Sequence, residues 1–99
     1  MSEHPVHVMV LVEALPAHAE EIKAGLRQLA EASRREPGCL AYAVVTDNAN
    51  PLQMHLLESW RDVADLAAHR ASAHVASAIG SLQGKLAGAP QVRELTPVG

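Results

Sequence analysis

Four residues in one short stretch, ESWRDVADLAAHRASAH at positions 58–74, are of types that move protons or hold a substrate: Glu58, Trp60, His69 and His74. Imidazole is the side chain whose ordinary pKa suits proton transfer near neutrality. His69 lies three residues after Leu66 and so shares that residue's side of a helix, facing a sheet or its edge. This makes His69 the candidate general base. The same placement would also serve a histidine that only ties helix to sheet. Glu58 falls on an apolar strand face, where a carboxylate must find a partner or shift its pKa. It could pair with a group of a second subunit, orient an imidazole, or act as a base itself. Trp60 sits where that strand turns into the helix, as a packing plug or a pocket wall. His74 flanks the inner stripe of the helix that follows. With Trp60, Tyr42 and His55 it completes the set of candidate substrate contacts.

Other chemistries lack their motifs. His69 and His74 are five apart, whereas i, i+4 is the productive spacing for two ligands on one helix. There is no CxxC and no HExxH, so no dedicated metal site is expected. His4 and His7 lie near the N-terminus. The absence of GxGxxG and of any Gly-rich phosphate loop argues against a nucleotide or flavin bound that way. Cys39 is a lone cysteine with no partner for a disulfide. It reads as a small buried residue opening a strand.

These residues need elements to position them. VHVMVLVE, 6–13, alternates Val6, Val8, Val10 and Val12 against His7, Met9, Leu11 and Glu13. Both faces are largely apolar, the pattern of a central strand covered on both sides. A helix follows over LPAHAEEIKAGLRQLAEASRREPG, with Pro16 in its first turn, Ile22, Leu26, Leu29 and Ser33 inward, and Pro37-Gly38 as its stop. CLAYAVVTD (39–47) and LQMHLLESW (52–60) form a hairpin across the turn DNANP. On 52–60, Met54, Leu56, Glu58 and Trp60 share one face, and Gln53, His55, Leu57 and Ser59 the other. Residues 62–88 read as helical, opening on Asp62 as N-cap, with a break around Ala71–Ala73. Val75, Ile79, Leu82 and Leu86 form its apolar stripe, and Gly88 and Pro90 end it. QVRELTPV, 91–98, is a last short strand.

The order β-α-β-β-α-β, with right-handed crossovers, gives a ferredoxin-like α+β fold: a four-stranded antiparallel sheet with both helices on one face. Ninety-nine residues make one domain, 1–99. Apolar residues make up 48% and charged residues 19%, with one Trp, one Tyr and no Phe, so the core is built of small pieces. The open sheet face then needs a cover, most simply the same face of a second subunit. A net charge of −3 with scattered basic residues points away from nucleic acid. MSEHPVHV lacks the features of a signal peptide, and no apolar run reaches membrane-spanning length. A cytoplasmic homodimer without nucleic-acid or membrane partners is expected.

EPGCLAY (36–42), ESW (58–60) and AAHRASAH (67–74), in this order and spacing, resemble the antibiotic biosynthesis monooxygenase family. The resemblance runs from Val6 to Val98 and extends to its quinol monooxygenases. It implies a dimeric α+β barrel and a pocket at the strand-to-helix corner. Glu58 and Trp60 would line or brace that pocket, and His69 would reach in from the helix. It also implies a cofactor-independent oxidation of a small aromatic or quinol by O2, with no cofactor and no metal. An isomerase of a small polar metabolite, or a non-catalytic dimeric binding module, is the alternative on the same fold. The heme-degrading branch differs, since the first strand here has no Asn and Ile79 stands where that branch has its helical His.

Overall fold

The computed structural model describes residues 4–99. Residues 1–3, part of the segment read above for a signal peptide, lie outside the described residues. The elements run β1 (Val6–Glu13), a 3-10 turn (Pro16–His18), α1 (Ala19–Arg34), β2 (Cys39–Thr46), β3 (Gln53–Trp60), α2 (Val63–Arg70), α3 (Ala73–Leu82) and β4 (Gln91–Leu95). The four strands form one antiparallel sheet in the order β2-β3-β1-β4. This is the expected ferredoxin-like α+β topology, with β1 central.

The period of two decides what each face holds. Val8 and Val12 of β1, Met54, Leu56 and Trp60 of β3, and Tyr42 of β2 are buried on the helix-covered side. They pack with Ile22, Leu26 and Leu29 of α1 and Leu66 of α2. The other face carries His7, Met9, Leu11 and Glu13, all half-buried. It also carries Leu57, Val45 and Leu95, each more than 40% exposed. Polar pairs punctuate it: His7 Nδ1 with Ser59 Oγ at 2.7 Å, and Gln53 Nε2 donating to Glu13 Oε1 at 3.0 Å.

The first helix follows its apolar period, with Ile22, Leu26, Leu29 and Ser33 buried. Its start differs, because the Pro16 turn is 3-10 and the α-helix opens at Ala19. Asp62 caps α2 as expected, accepting from the Asp65 N–H at 2.8 Å. The second helical region departs further. It breaks at Ala71–Ser72, where Ser72 is extended and its hydroxyl accepts from the Val75 N–H. It then ends at Leu82 rather than at 88, followed by Gly84 at φ +76°, a conformation suited to glycine. Leu86 therefore leaves the helical stripe and bridges in extended form to Ala14. Ile79 is 58% exposed; Val75, Ala78 and Leu82 make the inner contacts instead. The last strand stops at Leu95, short of the expected 98. No helix among the described residues is long and apolar enough to cross a membrane.

Candidate functional site

The site begins with register. β2 carries a bulge between Cys39 and Ala41, after which Tyr42 lies opposite Glu58, as Cys39 lies opposite Trp60. The two strand ends therefore sit side by side. The turn leading into β2 closes through the Cys39 N–H donating to Glu36 O at 3.0 Å. That turn is clamped on the start of α2. The Arg61 N–H donates to Gly38 O at 2.8 Å, and a Cβ at Gly38 would overlap the Asp65 side chain. Only glycine permits so close an approach. Glu36 is thereby delivered to the corner where α2 meets α3.

Two histidines meet it there. His69 Nδ1 lies 2.7 Å, and His74 Nε2 2.9 Å, from the same Glu36 oxygen, Oε2. On one continuous helix, residues five apart point about 140° away from each other. The break at Ala71–Ser72 turns α3 so that both rings converge. An ionised carboxylate can only accept, so both contacting nitrogens carry protons. For a neutral imidazole this leaves His69 Nε2 bare. That nitrogen lies 3.7 Å from Glu58 Oε1, beyond direct hydrogen-bond reach.

Below the histidine the site turns apolar. His69 is buried, and its ring packs on Trp60 with centroids 4.3 Å apart at 31°. Trp60 is fully buried and donates Nε1–H to Glu58 Oε1 at 3.0 Å. Burial pushes the Glu58 carboxyl above the ordinary carboxylate range, against the opposing pull of the Trp60 N–H. Burial, followed by the nearby Glu58 charge, raises the Tyr42 phenol so far that it stays protonated at any working pH. Cys39 also has its thiol pushed up, by burial and then by the charge of Glu36, which keeps it from acting as a thiolate.

A cavity of about 360 Å³ opens between the sheet and the helices. Its walls are aliphatic, with Val8, Val10 and Leu56 from the sheet and Leu29, Val75 and Leu82 from the helices. Its polar lining is Tyr42, Glu58, His69 and Arg70. An apolar chamber with a few convergent polar groups is the usual form of a small-molecule site. A larger groove of about 470 Å³ between α1 and α3 touches His74 but reaches none of Tyr42, Glu58 or His69. It offers no buried proton-transfer group, so the smaller cavity is the better candidate.

The candidate residues thus sort themselves. Glu58, His69 and Tyr42 line the cavity. Trp60 lies behind the imidazole as a brace and is no wall. His74 stands on the outer side, against Glu36. His55 pairs with Leu11 and Val45 in the sheet, and strand alternation puts it on the face opposite Glu58, away from the cluster. Glu58 was expected to orient His69; the structure puts Glu36 an ångström closer to it, at 2.7 Å against 3.7 Å. Sequence spacing could not suggest this, because Glu36 is 33 and 38 residues from its partners. The signal was the EPG turn, which precedes a strand that begins beside Trp60. The sequence reading, from motifs alone, expected no dedicated metal site. Glu36, His69 and His74 bring three ligand atoms within 4.8 Å of one another, a set that could hold a metal ion.

A family model described as antibiotic biosynthesis monooxygenase matches residues 5–80. No curated protein matches the chain. Among solved structures, one from Pseudomonas aeruginosa is 29% identical with a TM-score of 0.90, over 100% of this chain and 98% of that one. A crystal structure of an antibiotic biosynthesis monooxygenase is 26% identical with a TM-score of 0.89, over 95% and 99%. A Nitrosomonas europaea protein that bears the same family name provisionally superposes with a TM-score of 0.92 at 21% identity, over 99% and 94%, a likeness of fold.

Proposed function

The chain belongs to the antibiotic biosynthesis monooxygenase family, and from that premise we propose that it oxidises a small aromatic of the phenol or quinol type with O2, without a redox cofactor. The observation that carries this reading is the position of His69. Its Nδ1–H is held by Glu36 at 2.7 Å, and its ring lines an aliphatic cavity. His69 Nε2 accepts the phenolic proton. The resulting anion is electron-rich enough to pass one electron directly to O2. Radical recombination at a ring carbon then leads to a carbonyl there: one oxygen atom stays on the substrate, the other leaves as water, and the ring is oxidised to the quinone level. Tyr42, protonated throughout, is available to donate to a substrate oxygen. The aliphatic walls keep water from the reduced oxygen species. A volume of about 360 Å³ suits a substrate of one or two rings.

The open sheet face supports a homodimer. Leu57, Val45 and Leu95 are exposed there in one subunit, and β4 is exposed along all five of its residues. The partner's sheet would cover them, with residues 91–98 at the contact. Sedimentation at micromolar concentration should show a dimer; a stable folded monomer would contradict it. The reaction itself is tested by oxygen uptake with a panel of phenols and quinols. Uptake above the uncatalysed rate, with one oxygen atom from ¹⁸O2 in the product, is expected. Rates equal to background across the panel would overturn the oxygenase reading.

A further inference from the structure

We propose that Glu36, His69 and His74 form a binding site for a first-row divalent transition ion of the zinc type. The three donors come from three separate pieces of chain: the EPG turn, α2 and the start of α3. Two are imidazole nitrogens and one is a carboxylate oxygen, and their ligand atoms lie within 4.8 Å of one another. The side chains are 18%, 5% and 29% exposed, so this is a semi-enclosed corner rather than an acidic surface patch. Zinc bonds to such atoms are about 2.0–2.2 Å long, which puts tetrahedral ligands about 3.3 Å apart. The Glu36 oxygen is now 2.7 and 2.9 Å from the two nitrogens. Replacing two N–H protons by one ion therefore asks Glu36 to draw back from each nitrogen by about half an ångström, with the two nitrogens, within 4.8 Å of each other, settling to the same ligand spacing. The partly exposed side at His74 leaves a coordination position for water.

The surroundings suit an ion. A ligating histidine commonly presents its second nitrogen to a carboxylate, which fixes the ring and raises its basicity. Here His69 Nε2 faces Glu58 Oε1 at 3.7 Å, and the Trp60 N–H donates to that same oxygen at 3.0 Å and holds it in place. The donor set also selects the metal. Two imidazoles exclude calcium and magnesium, which take oxygen ligands, and favour zinc, cobalt, nickel or ferrous iron.

One consequence rests on the reaction proposed above. A metal on Nδ1 forces the proton of a neutral His69 onto Nε2, the nitrogen that must be bare to accept a phenolic proton. Occupancy would then switch the base off, making the ion an inhibitor rather than a cofactor.

The test uses the full chain stripped by chelator, titrated with Zn²⁺ by calorimetry and with Co²⁺ by absorption. One ion per chain is expected, with the visible bands of a low-symmetry nitrogen–oxygen site. His74→Gln and Glu36→Gln should each weaken binding by more than about 100-fold, beyond the usual effect of an outer-shell change. His55→Gln, on the opposite sheet face, should leave it unchanged. Because His74 is partly exposed, His74→Gln folds, and circular dichroism verifies this. No stoichiometric binding to the wild type, or equal binding to His74→Gln, would overturn the site. None of these readouts needs turnover, so failure of the oxygenase reading leaves them intact. Inhibition is scored separately: one equivalent of Zn²⁺ should suppress oxygen uptake, and unchanged uptake by zinc-loaded protein would overturn the inhibitory role.

Discussion

The corner between α2 and α3 and the cavity beneath it share one side chain, His69, and differ in almost every other respect. The corner is polar and partly open, with two imidazoles on one carboxylate oxygen. The cavity is aliphatic, with one carboxyl that burial drives toward neutrality. A hydrogen bond at the corner decides where the proton of His69 sits. Apolar walls in the cavity decide what the bare nitrogen meets. In the reaction proposed above, the hydrogen bond on one ring nitrogen sets which nitrogen is bare for the substrate.

Removing the shared residue should have the largest effect. His69→Gln keeps one hydrogen bond to Glu36 but cannot take a proton at neutral pH. Turnover should fall by about two to four orders of magnitude, while thermal stability changes little. A folded variant with wild-type turnover would end the base assignment. A stability loss of about 1–3 kcal/mol, with activity tracking the folded fraction, would mark a purely structural histidine.

The corner can also be attacked from outside. Gly38→Ala places a methyl where the Asp65 side chain lies. The turn must shift, and we expect a loss of about 1–3 kcal/mol, the usual span for overpacking. Glu36 moves with the turn, so turnover should fall in the fraction that remains folded. If denaturant melts and rates both match wild type, the turn does not position Glu36.

The smallest effect belongs to the cavity. The Glu58 pKa is raised by burial, so the folded state holds that proton more tightly than the unfolded chain does. The stability this contributes is complete below the unfolded value of about 4.3 and is lost as pH rises through the higher folded value. In a Glu58→Gln variant the amide oxygen would still accept from the Trp60 N–H, and the side chain cannot ionise. The Tm of Glu58→Gln relative to wild type should therefore climb as pH rises above about 4 and level off once the folded carboxyl has ionised. A gap that is flat, or that shrinks, would show Glu58 ionised and well paired in the native protein.

Much of this arrangement was legible before any coordinates. Valine alternation placed β1 and assigned its two faces. The same period put Glu58 and Trp60 on one side of β3 and His55 on the other. Asp62 signalled its helix. What stayed hidden depends on long-range placement or on weak local signals. The α3 stop at Leu82 has no proline near it, and Leu86 falls on the helical period by chance while the chain bridges to Ala14. Glu36 looked like part of a turn. It becomes a site residue only because β2 pairs with β3 at Cys39–Trp60, which sets the turn against α2. Spacing also argued against a joint role for His69 and His74, and one extended residue, Ser72, reverses that argument.

The account turns on one proton, and its position can be read without knowing the substrate. Long-range ¹H–¹⁵N correlation of the metal-free protein at neutral pH reports both ring nitrogens of each histidine. For His69 we predict a protonated Nδ1 and an unprotonated Nε2 in the metal-free wild type, with that preference weakened in Glu36→Gln. An Nε2–H tautomer, or an imidazolium with both nitrogens protonated at neutral pH, would contradict the account at its centre.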